Sequence, residues 1–131
     1  MSYLEDIKER LNLLKGSNVL ISGGAGFIGS WLAEALLELG CNVTCIDNLS
    51  TGLVDNIRHI KDARFRFIEG DICSIDYDSN IDIILHLASR ASPEDYQEHP
   101  IDTLNVNSLG SYKMLELARK NDAKILYTST S

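Results

Sequence analysis

The chain has 131 residues, a net charge of -7 at pH 7 and three cysteines. Such a length makes one domain with a real core but is short for a complete dinucleotide enzyme, and the acidic balance argues against nucleic acid or an anionic membrane as partner, since both want a basic surface. The opening residues do not read as a signal peptide and no apolar run is long enough to span a bilayer, while Cys41, Cys45 and Cys73, odd in number and without metal-ligand spacing, fit buried thiols in a reducing cytoplasm.

From the N-terminus, Ser2 to Leu14 reads as a helix. Ser2 and Glu5 make a capping box, Leu4, Ile7, Leu11 and Leu14 recur at helical spacing, and Gly16 can end it. Residues 1–16 are therefore expected to be a capping helix ahead of a domain that begins at 17. Asn18 to Ser22 is a short apolar strand that stops at a glycine cluster, and a helical pattern starts at once. Gly23, Gly26 and Gly29 fall at a G-x-x-G-x-x-G spacing, with Gly24 adding another small residue. In a strand–turn–helix that holds a dinucleotide, one glycine allows the tight turn, one lets backbone amides approach a pyrophosphate and one lets helix pack on strand. Gly23, Gly26, Phe27, Ile28 and Gly29 are the candidate phosphate-binding segment, at the positive end of the helix. No Gly-Lys-Ser/Thr comes next, so a nucleotide-hydrolysing P-loop fits less well.

The helix runs from about Phe27 to Leu39, with Phe27, Ile28, Trp31, Leu32, Ala35, Leu36 and Leu39 as its expected apolar face and Gly40 as its stop. Asn42 to Ile46 is the second strand and ends at Asp47. A polar loop, 48–53, leads to a short helix expected over Val54 to Ile60, a third strand over Arg64 to Ile68, and Glu69-Gly70-Asp71. Ile81 to Leu87 is nearly all apolar, the pattern of a central parallel strand. Next come a loop to His99 and a helix from Pro100 to about Lys120, Pro100 suiting the first helical position. On that helix Leu104, Ser108, Ser111, Leu115 and Ala118 are expected to face the sheet, leaving Val106, Leu109 and Leu117 as a second patch. Ala123 to Tyr127 is the fifth strand, before Thr128-Ser129-Thr130-Ser131. Strands alternating with helices predict an α/β, Rossmann-like, doubly wound parallel sheet of about five strands in the order 3-2-1-4-5. Ligands of such sheets sit outside the carboxyl ends of the strands, where the glycine loop, Asp47, Asp71, Ser89 and the terminal hydroxyl run all fall.

Asp47 closes the second strand roughly 20 residues past the glycine loop, where a carboxylate accepts bonds from the adenosine ribose hydroxyls and repels a 2′-phosphate. NAD is thus favoured over NADP; the alternative is a loop aspartate that caps the next turn.

Gly-Gly-Ala-Gly-Phe-Ile-Gly, Ile46-Asp47-Asn48-Leu49-Ser50-Thr51-Gly52, Glu69-Gly70-Asp71-Ile72 and His86-Leu87-Ala88-Ser89 together resemble the extended short-chain dehydrogenase/reductase family, the NAD-dependent sugar-nucleotide epimerases, dehydratases and decarboxylases. Ala91-Ser92-Pro93, Tyr96, Pro100 to Leu104 and the Thr128–Ser131 run are most similar to its decarboxylases. The resemblance implies that Asp71 and Ile72 hold the adenine edge, that Asn48, Ser50, Thr51 and Gly52 wrap the adenosine, and that Leu87, Ala88 and Ser89 lie along the cofactor. It implies that Thr130 hydrogen-bonds the sugar 4-hydroxyl beside a catalytic tyrosine, with His86 only part of a wall. It also implies a UDP-sugar substrate, a homodimer formed through the 101–119 region, and a reaction opened by oxidation of the sugar at C4. Arg90, in place of a proline, and Val106, in place of a polar residue, depart from the decarboxylase pattern. The family's Tyr-x-x-x-Lys pair is not found in residues 1–131, for Tyr112 has Glu116 four residues on. The chain alone is therefore expected to bind cofactor without turnover, as the cofactor half of an enzyme lacking its substrate domain. A non-catalytic dinucleotide-binding module is the rival from another class.

Overall fold

The computed structural model describes residues 2–90 and 93–128. Helix α1 (Tyr3–Asn12) begins with the expected capping box, Ser2 Oγ accepting from Glu5 N and the Glu5 carboxylate accepting from Ser2 N. It buries none of its residues; the chain is tied down just after it, where Leu14 packs on the core and Gly16 N donates to Gly40 O. The sheet is built from β1 (Asn18–Ser22), β2 (Asn42–Asp47), β3 (Phe65–Glu69), β4 (Ile83–His86) and β5 (Lys124–Tyr127). All pairings are parallel and the order is β3-β2-β1-β4-β5, as the sequence predicts.

Each face of the sheet owns a core. On one, Val19, Ile21, Val43 and Cys45 pack under helix α2 (Phe27–Glu38). On the other, Leu20, Ile46 and Ile84 pack under helix α5 (Ser111–Asn121), with Met114 and Ala118. Helix α2 ends in a Schellman turn: Gly40, at φ 88°, donates to Leu37 O, and Cys41 N donates to Leu36 O. Its buried face differs from the expected one. Gly29, Ser30, Ala33, Leu36 and Leu37 lie on the sheet, while Phe27, Ile28 and Trp31 are 78%, 63% and 65% exposed. Small residues let the helix sit close to the strands, and the large apolar ones are turned away.

Two other expectations change. The helix expected over 54–60 is a single 3₁₀ turn, Val54–Asn56, with further turns after it. There the chain is pulled back to the glycine loop, Leu53 N and Asn56 Nδ2 both donating to Ala25 O. The loop before His99 contains helix α3 (Pro93–Glu98), and the long helix from Pro100 is three pieces: α4 (Pro100–Asn105), a π-helical turn (Val106–Gly110) and α5. The extra residue of a π turn shifts the phase of the helix beyond it. Beyond it Met114 and Ala118 continue the buried stripe from Gly110 and Leu115 is exposed; Val106 and Leu117 pack on the same core, and Leu104, before the turn, is exposed as well. A Cβ on Gly110 would come within 2.6 Å of Ile72 Cδ1, so glycine lets the helix close on the loop after β3.

No described helix is long and apolar enough to cross a membrane, and Cys41, Cys45 and Cys73 are free thiols, the first two buried.

Candidate functional site

The carboxyl ends of β1 to β4 open onto a cleft of about 260 Å³. Its floor is the glycine loop. Gly23, at φ 78°, takes a left-handed turn that a side chain would strain, and a Cβ there would stand 2.9 Å from Ala88 N. Gly26 caps α2 without any side-chain hydrogen bond, and the first turn carries no acidic residue. The unpaired amides at this end are left for an anion.

Twelve of the fifteen residues expected at the cofactor line the cleft: Gly23, Gly26, Asp47, Asn48, Ser50, Thr51, Gly52, Asp71, Ile72, Leu87, Ala88 and Ser89. Three do not. Gly29 is buried beneath the loop, where a Cβ would collide with Gly23 O, so its part is packing. Phe27 and Ile28 project their side chains to solvent, which leaves only their backbone for a phosphate. Thr130, with Ala91 and Ser92, lies outside the described residues.

Asp47 is 8% exposed and does two things at once. Its Oδ2 accepts from Ala25 N at 3.0 Å and its Oδ1 from Leu49 N at 2.8 Å, so it pins the glycine loop and caps the turn after β2. The turn-capping alternative is thus present in the fold, and it is compatible with a ligand, because a carboxylate offers about four acceptor positions and two are in use. Asp71 caps its own turn through Cys73 N (2.9 Å). The basic residue of the cleft, Arg90, is held by Asp95 at 3.1 Å. With Asp47, Asp71 and Asp102 also lining it, a phosphate here must be held mainly by amides rather than by side-chain charge.

Sequence reasoning missed Asp102 and Asn105, which enter the cleft from α4 beside Val106. Polar residues on an amphipathic helix read as surface, and nothing local marks that turn as a wall. Cys73 also lines the cleft. Burial pushes its thiol up to about 11, so it stays protonated and is no nucleophile. Burial likewise pushes Cys45, packed behind Gly24, up to about 12. His86 is 2% exposed, behind the cleft wall rather than in it, and burial pushes its pKa down. Among the described residues no cluster of His, Cys, Asp or Glu could hold a metal ion.

The donor set suits a dinucleotide: bare amides at a helix start, a carboxylate at the end of β2, and hydroxyls on the loop beyond. Comparison with known proteins agrees. The chain is 44% identical over 114 residues to UDP-glucuronic acid decarboxylase 1 of Danio rerio, an alignment covering 86% of this chain and 27% of that protein. Among solved structures it is similar to an epimerase from Methanothermobacter thermautotrophicus, with a TM-score of 0.87, 30% identity and coverage of 99% of this chain and 40% of that one. It is also similar to the Bordetella bronchiseptica enzyme WbmF in complex with NAD+, with a TM-score of 0.80, 29% identity and coverage of 90% and 37%. The chain thus spans about a quarter of the length of the decarboxylase it matches. Residues 19–131, from the first strand through the glycine loop and the cleft, match the NAD dependent epimerase/dehydratase family, and the chain belongs to that family, whose cofactor is NAD.

Proposed function

We propose that residues 17–131 are the NAD-binding portion of a nucleotide-sugar-modifying enzyme, with residues 1–16 a capping helix in front of it. The observation that carries this is the convergence of glycine loop, Asp47, Asp71 and the Leu87–Ser89 wall on one cleft. Gly23, Gly26 and the backbone of Phe27 and Ile28 hold the pyrophosphate; Asp47 takes the adenosine ribose; Asn48, Ser50, Thr51 and Gly52 wrap the adenosine, and Asp71 with Ile72 the adenine edge. Bound there, NAD supplies a hydride acceptor.

The intact protein is read as a UDP-glucuronate decarboxylase-like enzyme that oxidises the sugar at C4 and then loses CO2, with Thr130 orienting the 4-hydroxyl. The similarity to a decarboxylase over 86% of the chain favours this; the similarity to an epimerase keeps 4-epimerisation as the second reading. Its surroundings would be the cytoplasm, where three free thiols stay reduced. Ile101, Leu104, Leu109, Tyr112 and Leu115, each more than half exposed in the 101–119 region, suit a homodimer, which light scattering would detect.

Calorimetric titration with NAD and NADP tests the cofactor assignment. NAD should bind preferentially, and Asp47→Asn should weaken it by about tenfold, the worth of one charged hydrogen bond. Equal or tighter NADP binding by the unaltered chain defeats the placement of the ribose on Asp47. Supplied with UDP-glucuronate, the 131-residue chain should form no NADH, because the family's tyrosine base is not among its residues and a missing general base costs a factor of about 100 to 10,000.

A further inference from the structure

The parallel register sets Ser22 at the end of β1 directly beside His86 at the end of β4, both buried. Ser22 Oγ approaches His86 Nδ1 at 2.6 Å and is also met by two backbone donors, Leu87 N at 3.1 Å and Ala88 N at 3.3 Å. A hydroxyl has one hydrogen and two lone pairs. Ala88 N meets one lone pair, and Leu87 N, which also donates to Ser22 O at 3.0 Å, shares its hydrogen with the other; the acceptor facing the hydroxyl's own hydrogen is Nδ1, which then carries none. The proton of the neutral ring is left on Nε2, and that nitrogen faces Ser111 Oγ at 3.2 Å. Ser111 in turn donates its own hydrogen to Asn107 O at 2.8 Å, inside the π turn. One assignment of hydrogens satisfies every link. The other tautomer and the imidazolium both put a hydrogen on Nδ1, against an oxygen that already meets two amide hydrogens and whose own hydrogen would lose its acceptor.

This chain of bonds runs behind the wall of the cleft. Ser22 is the residue before Gly23 and holds the amides of Leu87 and Ala88; Asn107, at the far end, accepts from Ser89 through its side-chain oxygen at 3.1 Å. Ser22 and Ser111 have no hydrogen bond to each other, so the imidazole joins the end of β1 to the π turn, beside the direct Ser89–Asn107 bond from the strand-end wall. Tyr127, on β5, is a titratable neighbour, its ring centroid 5.2 Å from that of His86. We infer that His86 is a positioning residue, locked as the neutral Nε2–H tautomer between Ser22 and Ser111, and that it sets the distance between the two walls of the dinucleotide cleft. The part concerning the cleft's width for a dinucleotide rests on the NAD-binding reading; the tautomer does not.

The experiment therefore has two arms on the 131-residue chain. Long-range ¹⁵N–¹H spectra at pH 7 without cofactor should give the Nε2–H pattern for His86, and Ser22→Ala should loosen it toward a tautomer mixture. An Nδ1–H or imidazolium pattern in the unaltered chain overturns the inference, and so does a pattern indifferent to Ser22→Ala. In the second arm NADH binding is monitored by fluorescence. Ser22→Ala and Ser111→Ala should each weaken it by about tenfold, as expected for one buried hydrogen bond. Because both break one relay, the double variant should be little worse than either single one, and Ser111→Thr, which keeps the hydroxyl, should recover the loss. Unchanged affinity, or losses that simply multiply, would refute the relay. Should the unaltered chain not bind NADH, the cofactor reading falls and the spectra alone decide the tautomer.

Discussion

Two of the strand-to-strand crossovers, the two that carry α-helices, lie on opposite faces of the sheet, and they are built on different terms. From β1 to β2 the chain makes a tight glycine turn, one unbroken helix and a Schellman stop. From β4 to β5 it passes through two short helices, a π turn and a third helix. The first is specified by residues close in sequence: glycine at each tight point and small residues on the buried face. The second is specified by distant ones. Gly110 closes on the side chain of Ile72, and Ser111 meets His86. A crossover written locally can be read from the chain; one written by its neighbours shows its phase only when those neighbours are in place.

The largest effect that can break this comparison is the phase of the second crossover. Met114 is fully buried and Leu115 is 54% exposed. Met114→Ala should cost about 2–5 kcal/mol by leaving a cavity against Leu20 and Ile84. Leu115→Ala should stay within about 0.5 kcal/mol. Chemical denaturation of both variants measures it, and reversed magnitudes would restore the unshifted helix that the sequence suggests.

Next comes the same substitution made once in each crossover. At Gly29 the added methyl meets backbone, Gly23 O and Gly24 Cα, which cannot move without opening the phosphate loop. Gly29→Ala should cost about 1–3 kcal/mol through overpacking and abolish NADH binding. At Gly110 the methyl meets the end of the Ile72 side chain, which can rotate, and alanine gains about 1 kcal/mol of helix propensity over glycine. The two terms nearly offset each other, so Gly110→Ala should change the melting temperature little. A large loss at Gly110 would mean that the π turn is as rigidly seated as the glycine loop.

Legibility in the sequence divides along the same line. Strand β1 begins and ends where predicted, because an apolar run stops against glycines, and the sheet order comes from alternating strands and helices. Most of the cleft is legible for the same reason: its floor and its β2 and β4 edges are short motifs at strand ends. The apolar residues of α2 are misplaced because large side chains suggest burial, while a helix seated closely on strands buries its smallest ones. Asp102 and Asn105 have no local signal at all. They line the cleft from α4, a short helix that the sequence reads as part of one long one.

The smallest expected effect lies in pH, at His86, whose bonds tie the end of β1 to the π turn of the second crossover. Burial holds the pKa of His86 below its ordinary 6.5 in the folded chain. Below that pH the unfolded chain takes up a proton on this ring that the folded chain refuses, so stability present above pH 6.5 declines as pH falls. Asp62 works in a different window. The Arg64 guanidinium holds its carboxyl down at about 2, so its contribution is intact above about pH 4 and is lost only as pH falls toward 2. Between about pH 7.5 and 5.5 Asp62 is therefore silent, and the melting temperature of the unaltered chain should fall more than that of His86→Leu, which has no ring to protonate. The leucine variant is the less stable at the upper end of that range, since it leaves Ser22 and Ser111 without their partner, but its melting temperature should be the flatter of the two across it. Parallel curves would show that His86 takes up its proton equally in both states, and that the bonds joining the glycine loop to the π turn do not depend on a neutral ring.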